Sequence, residues 1–269
     1  MSKEIMMNFE TITYELTKGV GILTLNRPET LNSFNSQMHD EVRVAMKDAR
    51  NNSKVRCLVI TGNGRGFCAG QDLSDRAVTA SDTAPDLGDS VEKNYNPLIR
   101  NIMTMEKPVI CAVNGVAAGA GASIALACDI VISARSAKFV QVFCKIGLIP
   151  DSGGTFNLPR ALGLPRAKGL ALLGDKLSAE QALQWGMIWD CVDDELLMDK
   201  ALTMARYLAT QPTKGLASIK TLLNGSFSNP LHHQLELERE MMQTLGQSDD
   251  YREGVSAFKE KRLPDFMGQ

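Results

Sequence analysis

Apolar and polar residues alternate over residues 11–16 (TITYEL) and again over 20–25 (VGILTL), the period of half-buried strands. Lys18-Gly19 lies between the two runs and predicts a hairpin, which Asn26-Arg27-Pro28 closes. Over 35–50 the period becomes helical, with Met38, Val42, Ala45, Met46 and Ala49 on one face and His39 assigned to the surface. Residues 57–60, 109–113 and 130–133 are short unbroken apolar runs, the signature of strands buried on both faces. Between them come a glycine-rich stretch (62–73) and a segment (76–87) read as a mobile surface loop. Next are a helix over 90–106 that Pro108 stops, and an Ala-rich buried helix over 121–128. This order of strands and helices predicts an α/β fold with a parallel sheet covered on its faces by helices.

After Asp151 the pattern turns helical. A helix is expected over 161–173, and Ser178-Ala179-Glu180-Gln181 fits a capping box for the next. A last short strand falls at 188–192, and further helices at 194–209, 213–223, 230–245 and 249–262. The apolar face of the first of these (Leu197, Ala201, Met204, Ala205, Leu208) suits either its own core or a neighbouring subunit. Two regions follow: an α/β core over 1–195 and a C-terminal helical, oligomerisation region over 196–269.

Composition narrows the function. A net charge of −2 over 269 residues gives no electrostatic case for nucleic acid or an anionic membrane. No apolar run is long enough to span a bilayer, and the first residues lack the form of a signal peptide, so a cytoplasmic location is expected. Six scattered cysteines without a CxxC pair read as buried free thiols, and three histidines offer little for a metal; no metal is expected.

Two loops follow buried strands, 62–73 and 114–121, and both are rich in Gly and Ala. At the carboxyl ends of strands such loops form a ligand crevice, and small residues let backbone N–H groups approach a ligand. Two N–H groups from separate loops converging on one oxygen would make an oxyanion hole. Glycine content alone serves tight turns equally well. Asp151, before Ser-Gly-Gly-Thr, is a lone carboxylate; on the residues alone a helix N-cap is its simpler reading.

Taken together the motifs point further. Residues 67–73 (FCAGQDL), 114–121 (NGVAAGAG), 128–130 (CDI) and 149–155 (IPDSGGT) occur in that order, with NRP at 26–28 and FKEKR at 258–262. This combination resembles the crotonase (enoyl-CoA hydratase/isomerase) superfamily along essentially the whole chain. The resemblance implies a crotonase-like (ClpP/crotonase) fold of repeated ββα units and a helical C-terminal trimerisation region. It implies an acyl-CoA substrate and an oxyanion hole built from the backbone N–H groups of Gln71 and Ala120. Ala69, Gly70, Asp72, Leu73, Gly119 and Phe143 would line the substrate site. Asp72 is expected to order its loop, and Asp129 to hold a buried turn. Arg27 would approach the coenzyme A phosphates, and Lys259 and Lys261 would do so from a neighbouring subunit; a solvated charged face is the alternative. Val140, Val142, Phe143 and Leu148 are candidates for an apolar wall.

The departures select the reaction. The two glutamates that activate water in the hydratases fall at Ser123 and Phe143, neither of which is an acid or base. Asp151 remains, where family isomerases also use an aspartate. One carboxylate suits moving a proton off C2 and returning it further along a conjugated system. Both a ring-epoxidised phenylacetyl thioester rearranging to an oxepin and a 3-enoyl to 2-enoyl shift fit. A dehalogenase would need more than the 6% aromatic residues present. A non-catalytic acyl-CoA-binding subunit is the reading from another class. No cofactor is expected beyond the coenzyme A of the substrate, and the expected assembly is a homotrimer or hexamer, with a paralogous crotonase subunit as a further option.

Overall fold

A computed structural model describes residues 9–76 and 86–268. Most of the 76–87 segment read as a surface loop therefore lies outside the described residues. The hairpin forms as the alternation predicts: β1 (Ile12–Thr17) and β2 (Val20–Leu25) pair antiparallel, turning on Lys18 and Gly19, both at positive φ. Helix α1 (Ser36–Asn51) begins where the Asn35 side chain accepts the N–H of Met38. Its buried stripe includes His39, contrary to the surface position expected. The reason is spacing: His39, Val42, Met46 and Ala49 fall on one face at intervals of three and four.

The central strands follow a repeated step. β3 (Cys57–Gly62) passes into β4 (Gly66–Cys68), and an interrupted helix follows. That helix is α2 (Leu87–Ser90), a π-helical turn (Val91–Tyr95) and α3 (Asn96–Thr104). β5 (Val109–Val113) passes into β6 (Val116–Ala118) and then α4 (Ala120–Ala127). β7 (Ile130–Ala134) passes into β8 (Lys138–Val140), followed by a 3-10 turn (Val142–Ile146), α5 (Gly154–Leu162) and α6 (Leu164–Leu173). The helix expected over 161–173 is thus two, broken at Gly163, which lies at positive φ. β9 (Lys176–Ser178), α7 (Ala179–Gln184) and β10 (Asp190–Val192) complete the core, and the Ser178 hydroxyl caps α7 as expected. Four helices end the chain: α8 (Leu197–Ala209), α9 (Thr213–Ser226), α10 (Leu231–Leu245) and α11 (Asp249–Glu260).

The single parallel sheet expected from the pattern is two sheets. Six strands run β1-β2-β3-β5-β7-β10, parallel except for the first hairpin. Four run β4-β6-β8-β9. Each of β3, β5 and β7 hands the chain to the second sheet within a few residues. The strands of that second sheet are three residues long, too short for periodicity to show them. Helix α8 lies across β2, β3, β5 and β7 and buries Leu197, Ala201, Ala205 and Ala209. Its apolar face is therefore spent on the core of its own chain. Helix α9 is fastened to the same core by Lys220, whose ammonium donates to the carbonyls of Ile102 (2.7 Å) and Lys107 (3.4 Å) and to Asp129 (2.8 Å).

Candidate active site

The steps between the sheets place both small-residue loops side by side. Asn114 holds the first loop: its Oδ1 accepts the Gly62 N–H (3.1 Å) and its Nδ2 donates to the Gly64 and Gly66 carbonyls. Buried Asn32 also donates to the Gly66 carbonyl (2.8 Å) and to Asn63. From there β4 pairs with β6 in parallel, so residues 69–73 and Gly119 leave the second sheet together. Gly70 lies at φ +93°, and a Cβ there would sit 3.3 Å from the Ala120 nitrogen and 3.1 Å from the Ala118 oxygen. The two loops thus touch at backbone distance. At Gly121 a Cβ would lie 2.2 Å from the Cys68 carbonyl oxygen, so glycine alone lets α4 start this close to β4.

The Gln71 backbone is turned by a parallel bridge to Phe34. The Gly70 carbonyl accepts the Phe34 N–H (2.7 Å) and the Asp72 N–H donates to the Phe34 carbonyl (2.9 Å). These bonds use the groups on either side of Gln71, so its own N–H faces the other way. Ala120 is the first residue of α4, where an N–H has no intrahelical carbonyl to meet and the helix dipole favours negative charge. Both sequence-expected oxyanion residues therefore sit on adjoining loops.

Asp151 lies in a turn docked on the first turn of α4. Gly154, just beyond it, packs on Ser123 and Pro150: a Cβ on Gly154 would be 2.6 Å from the Ser123 Oγ and 3.1 Å from the Pro150 Cβ. Ser123 is one helical turn from Ala120, roughly 5 Å of rise. The residue that caps α5 is Gly153 and not Asp151. The Ser152 hydroxyl, at a positive φ of 52°, donates to Asp151 Oδ1 (2.9 Å). The far side of the turn meets α3: Ile99 lies 3.3 Å from where a Gly153 Cβ would be.

The apolar wall takes shape at Val142 and Phe143, 3.5 and 3.7 Å from a Cβ built on Gly119. Val140 is buried nearby in β8, whereas Leu148 is exposed. Arg27 is turned inward: its Nη1 donates to the Ser33 carbonyl (2.7 Å) and to Asp72 Oδ2 (2.9 Å). The Ser74 hydroxyl, and after it Arg27, hold the Asp72 carboxyl below the usual carboxylate range against the opposing effect of burial. Asp72 thereby ties the 69–73 loop to the end of β2. The Ala69 N–H donates to Leu31 (2.9 Å), and Leu73 stands exposed at the loop's end. Lys259 lies on α11 beside a groove of about 980 Å³ lined by Met242, Tyr251, Phe258 and Phe266. Asp129 turns its carboxylate inward to accept from Lys220 and from the Val109 N–H, and burial pushes its pKa up. Among the described residues no cluster of His, Cys, Asp or Glu is placed to hold a metal ion.

The comparisons with known proteins fit this geometry. The family model described as enoyl-CoA hydratase/isomerase matches residues 15–269. The chain belongs to the enoyl-CoA hydratase/isomerase family. Within that family it is similar to the 1,2-epoxyphenylacetyl-CoA isomerase of Escherichia coli, at 60% identity over 98% of this chain and 100% of the relative. It also resembles the trans-2-decenoyl-[acyl-carrier-protein] isomerase of Streptococcus mutans, at 35% identity over 98% of this chain and 100% of the relative. Among solved structures, an enoyl-CoA hydratase from Bacillus anthracis superposes with a TM-score of 0.91 at 30% identity, covering 97% of this chain and 100% of that one. The enoyl-CoA hydratase/isomerase fold is thus the crotonase fold read from the motifs.

Two residues outside the expected site gain a place here. Tyr95 and His39 both reach the Gln71 side chain. The apolar stripe of α1 contained the signal for His39. Tyr95 had none, because the π-helical turn that swings it inward leaves no trace in the hydrophobic period.

Proposed function

We propose that this protein is a coenzyme A thioester isomerase acting on ring-1,2-epoxyphenylacetyl-CoA to give the oxepin, in aerobic phenylacetate catabolism. The observation that carries the reading is the 60% identity, end to end, with the E. coli 1,2-epoxyphenylacetyl-CoA isomerase. The site chemistry is consistent with it. Asp151 takes the C2 proton, and the charge passes to the thioester oxygen, which the Gln71 and Ala120 amides hold as an enolate. The C–C bond shared by the epoxide and the six-membered ring opens to give the seven-membered oxepin, and the proton returns at a ring carbon as the double bonds shift, so no hydrogen or electron is gained or lost. No cofactor enters this scheme. Ser123 and Phe143 offer no water-activating carboxylate, which turns the site away from hydration. The S. mutans relative, named as an isomerase of a 2-decenoyl thioester, supports a second reading, a general 3-enoyl-CoA to 2-enoyl-CoA isomerase working through the same groups.

The assembly is proposed to be a homotrimer or a pair of trimers in the cytoplasm. Exposed apolar residues along α9 and α10, among them Leu223, Phe227, Leu231 and Met242, support a subunit contact there. Static light scattering reads the count. The reaction is tested with Asp151→Asn, which is expected to bind acyl-CoA and lose C2 deuterium exchange and isomerisation. Full activity in that variant would remove Asp151 from the mechanism. An inert wild type that still binds acyl-CoA would favour a binding subunit.

A further inference from the structure

The mechanism leaves one partly buried polar group unexplained, the side chain of Gln71. The backbone amide of this residue serves the thioester oxygen, and its carboxamide points into the protein. There Gln71 Oε1 accepts from the Tyr95 hydroxyl (2.9 Å) and pairs with His39 Nε2 (3.3 Å). The Gln71 oxygen only accepts, so the His39 tautomer in this pair carries its proton on Nε2. The three rings around the carboxamide pack on one another. His39 stands edge-on to Tyr95 at 4.7 Å and tilted to Phe34 at 4.8 Å, and Phe34 meets Tyr95 at 6.0 Å. All three are buried. Phe34 is also the residue whose backbone bridges the two sides of Gln71.

These contacts reach Gln71 from two separate elements. His39 comes from the first turn of α1, and Tyr95 from the π-helical turn ahead of α3. A π turn inserts one residue into a helix and is frequent at functional sites. Here it brings the Tyr95 hydroxyl into line with a loop twenty-four residues earlier. The peptide plane before Gln71 is therefore gripped twice, through the Phe34 bridge on the main chain and through the carboxamide on the side chain. An oxyanion donor acts only if aimed at the position the oxygen will take, and hydrogen bonds weaken steeply as they bend.

We propose that Tyr95 and His39 are positioning residues for the oxyanion hole: by holding the Gln71 carboxamide they fix the direction of the Gln71 N–H. The inference rests on the reading of Gln71 as a thioester-oxygen donor. It accounts for a glutamine at a position where only the backbone is asked to react.

The test uses the full-length protein with phenylacetyl-CoA labelled with ¹³C at the thioester carbonyl. Difference infrared spectroscopy of the bound ligand reads the carbonyl stretch, which falls as the hole polarises it. Tyr95→Phe keeps the ring and removes only the hydroxyl. It is expected to move the stretch back toward its value in water, to lower the C2 exchange rate about tenfold, and to leave the Kd within about threefold. His39→Leu should act in the same direction. Gln71→Leu keeps the backbone N–H but deletes the shared acceptor, so Tyr95→Phe should have no further effect in that background. A wild type that polarises the carbonyl, with a Tyr95→Phe variant matching it in stretch and rate, overturns the proposal alone. Additive effects of Tyr95→Phe and Gln71→Leu overturn it as well. A wild type with no shifted carbonyl sinks the oxyanion reading and this inference with it.

Discussion

Replacing Gly70 by alanine tests the contact on which the proposed oxyanion hole depends. The added Cβ lands 3.3 Å from the Ala120 nitrogen and 3.1 Å from the Ala118 oxygen, both backbone atoms of the opposing loop. Neither is the loose end of a side chain, so the α4 N-terminus must retreat by a few tenths of an ångström. Gly70 also sits at φ +93°, where an L side chain is strained by about 1–3 kcal/mol. The stability cost should stay within that range, because the rest of the loop is held by Asn32, Asn114 and the Phe34 bridge. The catalytic cost should be larger. Misaligning one oxyanion donor is worth on the order of 10²–10³ in rate, about 3–4 kcal/mol. The assay is C2 deuterium exchange of phenylacetyl-CoA by mass spectrometry, beside thermal unfolding and a calorimetric Kd. A control is Gly169→Ala in the exposed helix α6, where a Cβ meets nothing within 4 Å. It should leave the rate unchanged and add up to about 1 kcal/mol of stability. A Gly70→Ala protein that is folded and exchanges within threefold of wild type would refute the convergence of the two loops on one oxygen.

Other outcomes follow from buried charge and buried sulfur. Lys220→Met should destabilise by about 2–3 kcal/mol at pH 7, less than the 3–5 of a fully buried broken pair because Asp129 keeps some access to water. Asp129 has a folded-state pKa raised above its unfolded value, so its contribution is present at low pH and lost as pH rises through the folded value. Removing Lys220 raises that pKa further; urea unfolding should show the penalty shrinking from pH 7 to pH 5, and a pH-independent penalty would contradict the assignment. Burial pushes the Cys57 and Cys68 thiols up to about 12, and raises Cys111 as well. Iodoacetamide at pH 8 should therefore label Cys144 first and Cys191 more slowly in the native protein, and all six cysteines only after unfolding. Early native labelling of Cys68 would count against a closed β4–α4 junction.

What could be read from the sequence divides by length scale. β3, β5 and β7 were visible because each is a continuous apolar run buried on both faces. β6, β8 and β9 were not, since three residues mixed with Gly, Lys and Ser carry no period and pair only with strands far along the chain. Gln71, Ala120 and Asp151 were named through motifs, and their spatial relation came only with the structure. Gly70 against Ala120, and Ser123 under Gly154, are backbone approaches that no side-chain pattern records. Asp151 illustrates the ambiguity best: its sequence neighbourhood is that of a helix cap, yet the cap of α5 is Gly153, two residues later.

The last helices return to bonds laid open near the start of the chain. Arg56, at the entry to β3, donates to the Gln211 carbonyl (2.6 Å), the Thr213 hydroxyl (2.9 Å) and the Phe266 carbonyl (2.7 Å). Lys220 meets the carbonyls of Ile102 and Lys107 and the carboxylate of Asp129. During synthesis on the ribosome, the sheets that carry the active site emerge first, with a guanidinium and several inward-facing oxygens still lacking partners. They gain those partners only as the final sixty residues arrive. A chain cut short before α9 would leave the core as a binding site for chaperones and proteases, and the cell would meet it as a substrate for quality control before it met it as an enzyme.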